Sequence, residues 1–211
     1  GKIEFEDMGM FADTGELDGT SATLADPCFL VVHPKGELLW DAGLGNSFVG
    51  KGTLEVEPGV KVTVARTVEE QLKQIGLKSE DIELVSFSHF HFDHIGNANG
   101  FSKATWLLSA AEYDNAIKNP RAEGPTPAQI QVQQDVKMER VVGDRDVFGD
   151  GTVRILSTPG HTPGHQVLVL KLAKSGTVML SGDLYHTLDN RRFKRVPVFN
   201  VNRADTLASI D

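Results

Sequence analysis

The chain has a single cysteine, Cys28, so no internal disulfide can form and a disulfide-stapled scaffold is excluded. It also lacks any apolar run approaching the roughly 20 residues a membrane-spanning helix needs, so no membrane partner is expected. Basic residues are in deficit: 21 Lys and Arg against 29 Asp and Glu leave a formal charge of -8. That balance argues against a nucleic-acid partner bound through a broad basic face and is the ordinary basis of solubility. No leader is recognisable, and the chain opens at Gly1 rather than a methionine. It therefore reads as a processed or trimmed product, with cytoplasmic, periplasmic and secreted locations all open. What is present is the composition of a globular protein, 40% hydrophobic and 24% charged over 211 residues, enough for one domain with a sizeable core.

Residues 1–23 mix Gly, Asp, Thr and Met without a sustained period and read as a loop carrying an exposed cluster of Met8, Met10 and Phe11. Two apolar runs, Cys28 to His33 and Glu37 to Gly43, are joined by Pro34-Lys35-Gly36, turn chemistry that predicts paired strands. Cys28 falls within the core pattern of the first run and His33 at its surface turn. Thr67 followed by Glu70 is a capping box, Val68, Leu72 and Ile75 share a helical face, and Gly76 supplies the stop, so a helix is expected there. Ile82 to Phe87 reads as a buried strand. Further on, Ala104 to Ser109 predicts a strand and Ala110 to Ile117 a helix. Asn119 to Thr126 reads as a loop or lid and Ala128 to Glu139 as a polar helix, and strands are expected at Val153 to Ser157, Gln166 to Leu172 and Thr177 to Ser181.

Behind the strand at Ile82 to Phe87 stands SHFHFDHIGN, which places His89, His91 and His94, three of only seven histidines, beside Asp93. In extended chain, positions two apart point the same way, so His89 and His91 can present their rings to one point. Asp93 and His94 are adjacent and must serve a neighbouring point, which suggests two metal ions rather than one. Imidazole and carboxylate suit zinc, and also iron or manganese. Downstream, STPGHTPGHQ holds His161 in a Gly/Pro turn after a strand, and SGDLYH ends another strand with Asp183 placed to bridge two cations. All three segments fall where strands give way to turns, the usual position for functional groups carried by a sheet.

HFHFDH, TPGHTPGH and SGD, in this order, resemble the metallo-β-lactamase superfamily of binuclear metallohydrolases. With the WDAG turn around Asp41 and the PVFN segment from Pro197 to Asn200, the chain looks most like the N-acyl homoserine lactonase branch. The resemblance implies an α/β (α+β) fold, an αββα sandwich of two mixed sheets flanked by helices, formed by one domain over residues 1–211. It also implies that His89, His91 and His161 hold a first metal, Asp93 and His94 a second, and that Asp183 bridges both. The metals are two divalent ions, zinc first, with iron, manganese or cobalt as alternatives. Asp41 and His165 would stand behind the ligands and orient them, and Phe92 would line a substrate pocket, with Met8, Met10 and Phe11 as further candidates. The implied reaction opens the lactone ring of an N-acyl homoserine lactone by attack of a hydroxide shared between the ions, with Asp93 returning a proton to the leaving oxygen. The expected partner is therefore a small lactone or ester, and a homodimer is compatible with the family.

Two positions depart from the branch. Its members supply a further histidine from a strand near the C-terminus, whereas no histidine follows His186 here, so the chain reads as incomplete at that end. Related lactonases also place a tyrosine three residues after the bridging aspartate; this chain has His186 there and Tyr185 one earlier, which makes both catalytic candidates. The rival assignments are a hydroxyacylglutathione-type thioesterase or phosphodiesterase on the same ligands, a di-iron oxidoreductase module, and a nonhydrolytic metal-binding protein. The oxidoreductase would carry glutamate where His91 stands, and a nonhydrolytic relative would be expected to have lost ligands.

Overall fold

The computed structural model describes residues 1–119 and 136–211. The chain begins with β1 (Lys2–Phe5), β2 (Ala22–Ala25), β3 (Phe29–His33), β4 (Gly36–Trp40), β5 (Thr53–Glu57) and β6 (Val60–Thr63). Helix α1 (Val68–Gln74) leads through β7 (Leu84–Ser86) to the single turn α2 (Phe92–Ile95), then β8 (Thr105–Ser109) and α3 (Ala110–Lys118). After them come β9 (Met138–Val141), β10 (Arg145–Asp146), β11 (Val153–Ser157), β12 (Gln166–Leu172) and β13 (Gly176–Leu180), followed by the helices Leu188–Phe193 and Arg203–Ile210.

A five-stranded mixed sheet, ordered β3-β4-β7-β8-β9, forms the centre: β3 and β4 are the expected hairpin, and β4, β7, β8 and β9 run parallel. Side chains alternate across it as the pleat requires. Leu39, Val85, Trp106 and Leu108 face α1 and α3 and pack on Val68, Leu72 and Ala116. Leu38, Trp40 and Leu107 face the antiparallel sheet β10-β11-β12-β13 and meet Val153, Ile155, Leu168 and Leu170. Truncating either of the fully buried tryptophans, Trp40 or Trp106, removes a large part of one face at a cost of about 3–5 kcal/mol. This layering agrees with the sandwich expected from the resemblance, with two differences. The second sheet is purely antiparallel, and a third sheet, β2-β1-β6-β5, sits on its own small core of Ile3, Leu44, Val62 and Val64.

The capping box closes α1 as its sequence predicts: Thr67 Oγ1 accepts from Glu70 N–H and Glu70 Oε2 from Thr67 N–H, each at 2.9 Å. The N-terminal segment is less open than a Gly/Asp-rich loop suggests. Lys2–Phe5 is an inner strand of the third sheet, and Met8 and Phe11 are buried, leaving only Met10 exposed. A one-turn 3-10 helix folds Phe11 back against Phe5 and Phe199, a long-range contact without local periodicity. The loop or lid expected from Asn119 to Thr126 and the polar helix from Ala128 lie almost wholly outside the described residues; where that helix would end, Met138–Val141 is a strand.

Parallel pairing of β4 with β7 sets Trp40 opposite Ser86, so Asp41 and the histidine segment leave the sheet at one edge. β11 and β13 end in the TPGH and SGD turns. Gly182, at φ +48°, lets the SGD turn close on the histidine segment: a Cβ there would stand 2.6 Å from Ser88 Cβ.

Candidate metal centre

His89 Nε2 and His91 Nδ1 are 2.8 Å apart, and His161 Nε2 lies 3.1 Å from the first and 3.0 Å from the second. With a carboxylate oxygen of Asp183 they make a group of four donors. Tetrahedral ligands at about 2.05 Å from zinc stand about 3.3 Å from one another, close to these spacings. Three ring nitrogens packed face to face repel as lone pairs or as shared protons, and a cation in their midst removes that conflict. The donor set therefore fits a divalent metal.

Asp183 faces two ways. Its Oδ2 lies 3.2 Å from His161 Nε2 and 3.6 Å from His89 Nε2, whereas its Oδ1 lies 3.2 Å from His94 Nε2. Beyond His94 the Asp93 carboxylate approaches to 3.7 Å, completing a second, smaller group that shares Asp183 with the first. His89 and His91 leave extended chain, whereas Asp93 and His94 sit on α2, so the single motif serves two adjacent points.

The outward nitrogens are engaged from behind. Asp41 adopts φ +58°, a strained conformation of a kind that clusters at functional sites. Its Oδ1 accepts from Ser88 N–H at 2.6 Å and its Oδ2 stands 3.0 Å from His94 Nδ1. Ser88 Oγ lies 3.1 Å from Asp41 Oδ2, from His89 Nδ1 and from His94 Nδ1, so one hydroxyl touches imidazoles of both groups. His161 Nδ1 meets Asn200 Oδ1 at 2.9 Å. His165 is fully buried, and its Nε2 accepts from Asp183 N–H at 3.1 Å while its Nδ1 faces the Thr158 carbonyl at 3.2 Å, a neutral tautomer that burial enforces by holding its pKa low. Such outer partners fix ring orientation and ligand basicity.

Protonation suits cation binding. Burial, aided by neighbouring imidazoles, keeps His89 well below the usual histidine range and lowers His91 to about 3. Burial opposes ionisation of Asp183, yet His186, His94 and His89 outweigh it and hold that carboxylate well below its usual value. Burial likewise opposes charge on His94 and His161, but neighbouring carboxylates, Asp183 foremost, raise both. A metal arriving there displaces their protons, the usual coupling of metal binding to pH.

The remaining candidates separate. His186 Nε2 reaches Asp183 Oδ2 at 3.1 Å, its ring packs on Phe11 and Phe199, and its buried Nδ1 has no hydrogen-bond partner among the described residues. Tyr185 is half-buried, and its hydroxyl makes no hydrogen bond to these groups among the described residues. Phe92 is 48% exposed beside the histidines. Cys28 packs at the margin of the helix-side core, and His33 stacks on Phe148 with its Nε2 3.0 Å from Asp150 Oδ2. Sequence reasoning missed Ser88 and singled out Asn200 only within the PVFN match; the one available signal for Ser88 was its place immediately before the metal motif.

A layered α/β fold with a His/Asp donor cluster at its strand ends is the frame of the metallo-beta-lactamase superfamily, to which the chain belongs: the family profile matches residues 24–211, and its lactonase relatives mark it as a hydrolase. Among curated relatives it is 30% identical to the N-acyl homoserine lactonase AttM of Azorhizobium caulinodans over 203 residues, 92% of this chain and 77% of that one. It is 32% identical to an N-acyl homoserine lactonase of Bacillus cereus over 169 residues, 77% of this chain and 65% of that one. Among solved structures it superposes with a TM-score of 0.84 and 27% identity on an N-acyl homoserine lactone hydrolase holding N-hexanoyl-L-homoserine at its catalytic metal centre, covering all of this chain and 82% of that one. Among the described residues, no helix is long and apolar enough to cross a membrane.

Proposed function

We propose that the protein, acting as one domain over residues 1–211, opens the lactone ring of N-acyl homoserine lactones with two divalent cations, zinc first among them. The observation that carries this reading is the division of Asp183, with Oδ2 turned to His89 and His161 and Oδ1 to His94. His89, His91 and His161 would hold one ion, Asp93 and His94 the other, and Asp183 both. When bound, such ions supply Lewis acidity and water that is deprotonated near neutral pH.

The chain's own groups then do the rest. Water adds to the ring carbonyl, the ring C–O bond breaks, and the leaving oxygen takes a proton. Asp93, beside His94 in the second group, would take up that proton on a carboxylate oxygen and pass it to the leaving oxygen. His186, standing where related lactonases have tyrosine and with its Nε2 3.1 Å from Asp183 Oδ2, would donate from that nitrogen to a substrate oxygen. The exposed side chains of Phe92 and Met10 give the acyl chain an apolar surface.

Product formation releases one proton per turnover at neutral pH. Zinc-loaded protein in a pH-stat should consume N-hexanoyl homoserine lactone, and chelator-stripped protein should not. Equal rates in both, or turnover of thioesters or phosphodiesters alone, would contradict the proposal.

A further inference from the structure

Glu112, near the start of α3, is buried to 4% exposure, yet no step above uses it. Each of its oxygens takes one backbone donor. Oε1 accepts from Phe90 N–H at 3.0 Å and Oε2 accepts from Gly164 N–H at 2.9 Å. Phe90 stands between His89 and His91, and Gly164 between His161 and His165. One carboxylate thus ties together two loops whose inward imidazoles meet although His89 and His161 are 72 residues apart. The approach is close: a Cβ at Gly164 would collide with Glu112 N and stand 2.5 Å from Ser109 Oγ, which caps α3. Burying a carboxylate is costly unless its hydrogen bonds are met, and here the donors that meet them come from the two ligand loops themselves.

We infer that Glu112 is a positioning residue which sets the distance between the His89–His91 segment and the His161 turn, and thereby the affinity of the first metal position. This rests on the ligand assignment proposed above. Glutamine in its place keeps the volume but offers one acceptor oxygen, so its amide N–H₂ must face Phe90 N–H or Gly164 N–H, donor against donor. One of the two ties then opens.

The test is titration of the whole chain with Zn²⁺ against a chromophoric chelator, alongside circular dichroism and melting of the metal-free protein. In folded Glu112→Gln, one of the two zinc affinities should fall by about 10- to 100-fold, the range typical of residues behind metal ligands, while the other changes less than about twofold. Glu112→Asp, which keeps both oxygens on a shorter stem, should lose less. A variant that melts lower but binds zinc as tightly as wild type assigns Glu112 to fold stability alone and overturns the inference. Should Glu112→Gln not fold, Glu112→Asp carries the test, because its shorter stem must draw the two loops together to keep both ties: weakening of one zinc affinity supports the inference and unchanged affinities overturn it. A wild-type chain that takes up no zinc removes the ligand assignment itself, whereas binding wild type with unaltered variants removes only the part given to Glu112.

Discussion

On one side of Asp183, three imidazoles from two loops close together with ring nitrogens 2.8 to 3.1 Å apart; on the other, the described residues offer only His94 and Asp93 beside the second oxygen of the same carboxylate. The first side offers four protein donors, His89, His91, His161 and Asp183. On the proposed assignment, the second, with fewer protein donors among the described residues, would leave positions for water or substrate, the feature that separates catalytic from structural zinc sites. Their outer supports differ as well. Asn200 touches the first side alone, Asp41 reaches the second through His94, and Ser88 reaches both. On the proposed assignment, the first side would retain its ion more tightly and the second would exchange with substrate.

Breaking the carboxylate common to both sides should have the largest effect. Asp183→Asn is expected to lower kcat/KM for N-hexanoyl homoserine lactone by about 10³-fold or more, equivalent to about 4 kcal/mol of transition-state stabilisation, with an unchanged far-ultraviolet spectrum. Asp93→Asn should cut the rate by roughly 10²-fold, within the usual yield of general acid–base catalysis, while one tightly bound ion remains on elemental analysis. Loss of both ions from that variant would show that the two sides are not separable.

The outer supports sharpen the contrast further. Ser88→Ala should weaken both zinc affinities and Asn200→Ala only the tighter one, each by about 10-fold, at the lower end of the effect of such partners. Chelator competition reads both.

The smallest effect concerns stability. Asp26 is buried, and its Oδ2 accepts from Leu44 N–H at 2.8 Å, fastening the turn that carries Asp41. Burial raises its pKa, so between the ordinary carboxylate value of about 3.9 and that raised value the folded chain binds more protons than the unfolded one, and stability falls as pH rises through the window. The melting temperature of wild type relative to Asp26→Asn should therefore decline from about pH 4 towards neutrality. A rising difference would refute the sign.

Much of this was legible in the sequence where the cause is local. The capping box of Thr67 and Glu70 and the β11 and β12 runs follow from neighbours a few residues apart, and they stand where expected. The strand-end histidines were equally plain, because their spacing is itself the signal. The four-residue β1 and the β5–β6 hairpin were not legible: short, polar strands owe their pairing to partners supplied by the fold. The same holds behind the metal ligands. Ser88 meets Asp41 across 47 residues, His161 meets Asn200 across 39, and Glu112 meets Phe90 and Gly164 across 22 and 52. No local pattern records such pairings.

Anomalous diffraction from zinc-grown crystals, with elemental analysis of the same preparation, tests the centre most directly. The account predicts about two ions per chain, one on each side of the Asp183 carboxylate, with the His94-side ion the first to leave under chelator. A single ion, or zinc bound away from Asp183, would contradict it.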